Sequence, residues 1–172
     1  MTQVRLWTII GESGTGKSRS VKTLASRGES GPPGFYDILL RGGGYLQVLG
    51  KVMAWQEDQK TPDQSVAEIN KRAQSRTSAL GGRQPAFVNI LSALRFDPVT
   101  INGVTYPAGA DYLERWAAEG WSLESLVLMS PDRSGGRDFY GAFGVPTLWH
   151  YDARELAIES MAGAIRNHFG WA

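Results

Sequence analysis

The chain has 172 residues, a formal net charge of +1 and no cysteine. This length suits a single hydrophobic core, and we predict one domain over residues 1–172. The near-neutral charge does not indicate nucleic acid as a partner, and the lack of cysteine excludes disulfides, thiolate metal sites and cysteine nucleophiles. No run approaches the roughly 20 apolar residues of a membrane span, and the N-terminal residues lack a signal-peptide pattern. The composition therefore predicts a cytoplasmic protein without a membrane segment.

The first half of the chain alternates between predicted strands and helices. Its predicted elements are, in chain order, a strand over residues 3–10, a helix over 18–26, a strand over 35–40, a helix over 45–57 and a helix over 61–80. The helix over 45–57 is predicted because large apolar residues fit a wide buried stripe. The next helix is predicted from Thr61, which can cap it, and from Pro62 in its first turn.

The second half continues this alternation. Its predicted elements are a strand over residues 86–91, a hairpin over 99–106, a helix over 111–119, a strand over 123–129, a strand over 145–151 and a helix over 156–169. The hairpin is predicted because Asn102 and Gly103 both accept a positive φ. Strands that alternate with helices indicate an α/β fold, with a mainly parallel sheet, helices on both faces and the hairpin as an excursion from the sheet.

The segment GESGTGKS, residues 11–18, has the features of a phosphate-binding loop. Its glycines allow the unusual φ values and the close backbone approach that several converging N–H donors require. The helix predicted to follow adds a dipole whose N-terminus favours negative charge. The residues predicted to bind the phosphates are Gly11, Glu12, Ser13, Gly14, Thr15, Gly16, Lys17, Ser18 and Arg19.

The spacing of Gly11, Gly16, Lys17 and Ser18 is G-x-x-x-x-G-K-[ST], which resembles the Walker A motif of the P-loop NTPases. The motif lies between a predicted strand and a predicted helix, which is the setting that it requires. The resemblance covers about the first 28 residues and implies the three-layer fold of that superfamily, with ATP and Mg²⁺ as cofactors. It also implies that Lys17 reaches the β- and γ-phosphates and that Ser18 belongs to the Mg²⁺ shell.

P-loop proteins also use an acidic group for Mg²⁺ or its water shell, usually at the C-terminal end of a neighbouring strand. Four aspartates are candidates. Asp132 ranks first because it follows an apolar strand, and Asp37 ranks second because its strand is expected beside the loop strand. Both are predicted metal ligands. Asp97 lies further past its strand, and Asp152 is expected in a surface turn.

Asp132, Arg133 and Arg137 share one Gly-rich stretch, PDRSGGRDFYGAF. This stretch loosely resembles the element of nucleoside and thymidylate kinases in which an acid orients the acceptor hydroxyl and an arginine contacts phosphate. The resemblance implies catalytic roles for these three residues beside Lys17. It departs from those kinases because the element comes late and too little chain follows for their Arg-rich lid. A GTPase is not predicted, because no N-K-x-D motif is present.

Three functions stay open at this point. The size of the chain favours a small kinase-like phosphotransferase that uses Mg-ATP and an unknown acceptor. The hairpin over 99–106 favours an ATPase or nucleotide switch that acts on a protein or other macromolecular partner, as in a phage, plasmid or transfer system. The absence of a clear second acid is consistent with a nucleotide-binding protein of reduced catalytic activity.

Overall fold

The computed structural model of the protein describes residues 3–25, 34–83, 85–130, 140–151, 153–154 and 157–172. The strands within these ranges are β1 (Gln3–Gly11), β2 (Phe35–Leu39), β3 (Tyr45–Gly50), β4 (Phe87–Leu94), β5 (Val99–Ile101), β6 (Val104–Tyr106), β7 (Ser122–Met129) and β8 (Thr147–His150). The described helices of nine or more residues are α1 (Lys17–Ala25), α2 (Pro62–Ala79), α3 (Gly109–Ala118) and α4 (Ile158–Phe169). None of the described helices is long and apolar enough to cross a membrane.

Six of the strands form one mixed sheet in the order β2-β3-β4-β1-β7-β8. Only the edge strand β2 is antiparallel to its neighbour, and every other pair is parallel. The predicted α/β class with a mainly parallel sheet is therefore confirmed. The parallel strands end along one side of the sheet, called here the carboxyl edge, at Gly11, Gly50, Leu94, Met129 and His150. Ligands of open α/β sheets bind outside this edge, where the strand order reverses.

Helices cover both faces of the sheet. Alternate residues of β1 enter two separate apolar clusters, with Leu6 and Ile10 in one and Trp7 and Ile9 in the other. The first cluster also contains residues of α2 and α3, and the second contains residues of α1 and α4. Because β1 is buried on both faces, its near-continuous apolar sequence is typical of a central parallel strand.

The helix predicted over residues 45–57 is wrong. Tyr45–Gly50 forms β3, which pairs with β2 on one side and with β4 on the other, and residues 55–59 form turns. Short apolar runs fit a helix or a strand equally well, and pairing with β4 decides the outcome here. Trp55 is one of the large apolar residues that suggested the helix, and it is buried, but by tertiary packing. Its Nε1 donates a hydrogen bond to Ser92 Oγ at 2.7 Å.

Two local predictions are confirmed in detail. Helix α2 begins with a capping box, in which the Thr61 side chain accepts from the Gln64 backbone and the Gln64 side chain accepts from the Thr61 backbone. Strands β5 and β6 form a separate two-stranded sheet, and its turn residues Asn102 and Gly103 have φ of 52° and 78°. These elements depend on short-range chemistry, which sequence patterns report well.

The last described residues lie along the outer edge of β2. Leu40 forms an antiparallel bridge with Trp171, and the Ala172 backbone N–H donates to the Leu39 carbonyl at 2.9 Å. Gly170 ends α4 with a φ of 73°, a left-handed value that glycine adopts without strain, and this turn directs the chain toward β2.

Candidate functional site

The Gly-rich segment connects β1 to α1 at the carboxyl edge, and its geometry requires glycine at three positions. Gly14 and Gly16 have φ of +78° and +89°. At Gly11 a Cβ would lie 2.7 Å from Thr15 Oγ1 and 2.9 Å from Met129 Cβ, which leaves no room for a side chain. The loop therefore turns tightly against β7 before α1 begins at Lys17.

Lys17, the first residue of α1, places a charged side chain against this loop. Its side chain is buried, with 5% exposed, and its Nζ donates a hydrogen bond of 2.6 Å to the Glu12 carbonyl oxygen. Burial lowers the pKa of Lys17 to about 8, and the nearby charge of Glu57 opposes this shift. A buried ammonium at a helix N-terminus is stabilised by an anion, so the position favours a negatively charged ligand.

A cleft of about 760 Å³ opens beside Lys17. It is lined by residues 14–19, by Glu57, by Arg154 and by the first turn of α4. The start of α4 packs closely on the loop, because Ile158 Cδ1 lies 3.0 Å from the position of a Cβ on Gly16. The volume is within the range of small-molecule sites.

A buried glutamine next to Glu57 connects this side of the cleft to the end of β4. The Gln56 side chain is fully buried, accepts from the Arg95 backbone N–H at 3.2 Å and donates to the carbonyls of Arg95 and Pro107 at 3.2 and 3.3 Å. The adjacent Glu57 carboxylate lies 4.0 Å from the Arg95 guanidinium. Arg95 Nε is buried and has no hydrogen-bond partner among the residues that the structure describes.

Arg154 approaches the loop from the segment that follows β8. Its Nη2 donates to a carboxylate oxygen of Glu12 at 2.8 Å and to the Ser13 carbonyl at 3.0 Å. The backbone carbonyl oxygen of Glu12 also accepts a hydrogen bond from Lys17 Nζ. The Lys17 ammonium and the Arg154 guanidinium therefore both contact Glu12.

The structure brings the predicted loop residues together but does not bring Asp37 to them. Asp37 lies on β2, three strand positions from β1, which corresponds to about 14 Å, and it accepts a hydrogen bond from Gln47. The expectation that its strand lies beside β1 is wrong, because β3 and β4 intervene. Asp97 is exposed beyond β4, and burial, together with the smaller effect of the Asp97 charge, raises the pKa of Tyr140.

The remaining predicted residues, Asp132, Arg133, Arg137 and Asp152, lie outside the described residues. The strand that precedes Asp132 does neighbour β1, since β7 pairs with it up to Met129 opposite Gly11. Their predicted roles stay predictions.

Three charged residues near the loop were not predicted: Glu57, Arg95 and Arg154. Each follows the carboxyl end of a parallel strand, since Arg95 comes directly after β4, Arg154 four residues after β8 and Glu57 seven residues after β3. Charged residues past predicted strand ends are therefore the signal that could have found them. Glu57 was missed because its strand was predicted as a helix.

Within the described ranges, no cluster of three or more His, Asp or Glu side chains is suited to hold a metal ion. Mg²⁺ does not require such a cluster, because it is usually bound by one or two protein oxygen ligands together with phosphates and waters. Ser18 lines the cleft, and its hydroxyl is an oxygen ligand of this type. The residues present therefore fit a phosphate-bound Mg²⁺.

The chain matches no protein-family model, no curated protein and no solved structure. Its function is therefore inferred from the geometry of the cleft and the chemistry of its residues.

Proposed function

We propose that the chain binds Mg-ATP in the cleft beside Lys17 and transfers its terminal phosphoryl group to a small acceptor. The observation that carries this proposal is the buried Lys17 ammonium at the N-terminus of α1, beside a cleft and in a loop whose Gly14 and Gly16 have positive φ. The resemblance of residues 11–18 to the Walker A motif supports the same function.

Each loop residue has a defined role in this proposal. The backbone N–H groups between Gly14 and Ser18 bind phosphate oxygens, and the dipole of α1 favours their charge. Lys17 exchanges the Glu12 carbonyl for the β- and γ-phosphates, and the Ser18 hydroxyl contributes to the Mg²⁺ shell. When bound, Mg²⁺ neutralises charge on the phosphate oxygens.

Among the described residues, Glu57 has a carboxylate placed to act as a base on the phosphoryl acceptor. It lines the cleft, and Gln56 fixes the backbone on which it stands. We propose that Glu57 takes the proton of the acceptor hydroxyl as the hydroxyl oxygen bonds to the γ-phosphorus and the bond to the β-phosphate oxygen breaks, leaving ADP. Asp132, Arg133 and Arg137 follow β7 at the same edge and are proposed to complete the acceptor side.

The test is nucleotide binding by calorimetry in the presence of Mg²⁺, with Lys17→Met as the variant. Loss of a charged hydrogen bond to phosphate should weaken ATP binding by about 10- to 150-fold. The matched control is Lys22→Met, because Lys22 is an exposed lysine on the same helix, and it should bind ATP within about twofold of wild type. Unchanged affinity in Lys17→Met would refute the proposal.

A second function, an ATPase or switch that acts on a macromolecular partner, is favoured by the β5–β6 hairpin. This hairpin forms its own two-stranded sheet, and Val104 at its tip is 52% exposed. Phosphate release without an acceptor, stimulated by a partner, would favour the ATPase. Transfer of labelled phosphate from ATP to a compound in a panel of hydroxyl metabolites would favour the phosphotransferase.

A further inference from the structure

Glu12, near the start of the loop, contacts two positively charged side chains, those of Lys17 and Arg154. Its carbonyl oxygen accepts Lys17 Nζ at 2.6 Å, and its carboxylate accepts Arg154 Nη2 at 2.8 Å. Arg154 is also close enough to Lys17 for its charge to lower the lysine pKa. Because both side chains contact Glu12, a γ-phosphate that replaces Glu12 as the partner of Lys17 would also face the charge of Arg154.

The ion pair between Glu12 and Arg154 is easily exchanged. Both side chains are exposed, at 39% and 58%, and exposed ion pairs contribute little free energy. A carboxylate and a phosphate present similar oxygen acceptors to the planar guanidinium, but the phosphate carries more charge. A terminal phosphate at Lys17 is therefore a stronger partner for Arg154 than Glu12 is.

We propose that the Glu12 carboxylate occupies the place of a terminal phosphate and holds Arg154 until a nucleoside triphosphate displaces it. This inference rests on the proposed function and adds selectivity to it. ADP has no γ-phosphate, so with ADP bound Arg154 stays on Glu12. Arg154 thereby distinguishes the triphosphate from the diphosphate.

The test is a set of calorimetric titrations with a non-hydrolysable ATP analogue and with ADP, each with Mg²⁺. Arg154→Ala should weaken binding of the analogue by about tenfold, as expected for a charged hydrogen bond, and binding of ADP by less than about twofold. The matched control is Arg72→Ala, which removes an exposed arginine that lies 3.9 Å from Glu68 on α2 in another Arg–Glu ion pair. It should change neither affinity.

Glu12→Gln tests the competition directly. The change should strengthen binding of the analogue, and the gain should be about two- to fivefold larger when Arg154 is present than in the Arg154→Ala background. The double variant is needed because Glu12→Gln also removes direct repulsion between the carboxylate and the phosphates. Both side chains are exposed, so the variants should remain folded, which thermal unfolding would check.

Three results would overturn the inference while wild-type nucleotide binding leaves the proposed function standing. The first is an Arg154→Ala variant that loses equal affinity for the analogue and for ADP, and the second is one that loses no affinity for the analogue. The third is a Glu12→Gln change that raises affinity for the analogue equally with and without Arg154. A wild-type protein that binds neither nucleotide would overturn the proposed function and this inference together.

Discussion

Replacing Lys17 by methionine should make the protein more stable, although the same change is expected to weaken nucleotide binding. Burial lowers the pKa of Lys17 from 10.5 to about 8, so the charged form of this side chain destabilises the folded protein relative to the unfolded chain. At 1.36 kcal/mol per pH unit this corresponds to roughly 3 kcal/mol. Methionine has a similar length and no charge, but it loses the hydrogen bond to the Glu12 carbonyl. We therefore expect the free energy of unfolding at pH 7 to rise by about 1–3 kcal/mol.

The gain in stability should depend on pH in a defined direction. Because the pKa of Lys17 is lower in the folded protein, the unfolded chain binds more protons at this residue between about pH 8 and 10.5. Stability of the wild type from this residue therefore rises with pH across that window. The advantage of Lys17→Met should be full below about pH 8 and should disappear by about pH 10.5.

Urea unfolding of wild type and Lys17→Met, without nucleotide, at pH 7 and at pH 10.5, measures this difference. Thermal unfolding should show a melting temperature higher by about 2–4 °C per kcal/mol for a chain of this size. Lys22→Met, on the exposed side of α1, should leave both quantities unchanged. A Lys17→Met protein that is less stable than wild type at pH 7, or equally stabilised at both pH values, would refute the reasoning.

Three further changes test other parts of the cleft. Glu57→Gln should lower Mg-ATP turnover by about 100-fold and change the Kd for ATP by less than about threefold. Unaltered turnover in steady-state kinetics would exclude Glu57 as the base. Gln56→Leu should lower the free energy of unfolding by about 2–4 kcal/mol in urea, because backbone groups of Arg95 lose buried partners; a loss under about 0.5 kcal/mol would contradict this. Gly16→Ala should cost about 1–2 kcal/mol, since φ is +89° and Ile158 lies close, and should weaken ATP binding in calorimetry; wild-type values for both would refute the geometric argument.

The elements that the sequence predicted correctly depend on local chemistry. The cap at Thr61, the turn at Asn102 and the start of α1 after the glycines are each set by residues within a few positions of one another. The loop residues were predicted for the same reason, since one contiguous segment contains them.

The other side of the cleft could not be predicted in this way, because it depends on strand order. Asp37 was expected near the loop on the assumption that its strand lies beside β1, but β3 and β4 lie between them. Glu57 enters the site only because Gln56 is hydrogen-bonded to a strand end 39 residues further along the chain. Arg154 meets Glu12 across 142 residues. Pairings of this kind are determined by packing, which local patterns do not encode.

The bridge between Leu40 and Trp171 has a consequence for self-association. An antiparallel strand at the edge of a sheet presents free backbone groups to which the same strand of another molecule can add. Here Gly170 and Ala172 form backbone hydrogen bonds with Arg41 and Leu39, on either side of the bridge between Leu40 and Trp171. Trp171 is also buried against Trp7 and Phe169, which ties this cover to the core. The cover therefore protects the end of β2 from intermolecular strand addition, and its loss would expose a template for aggregation.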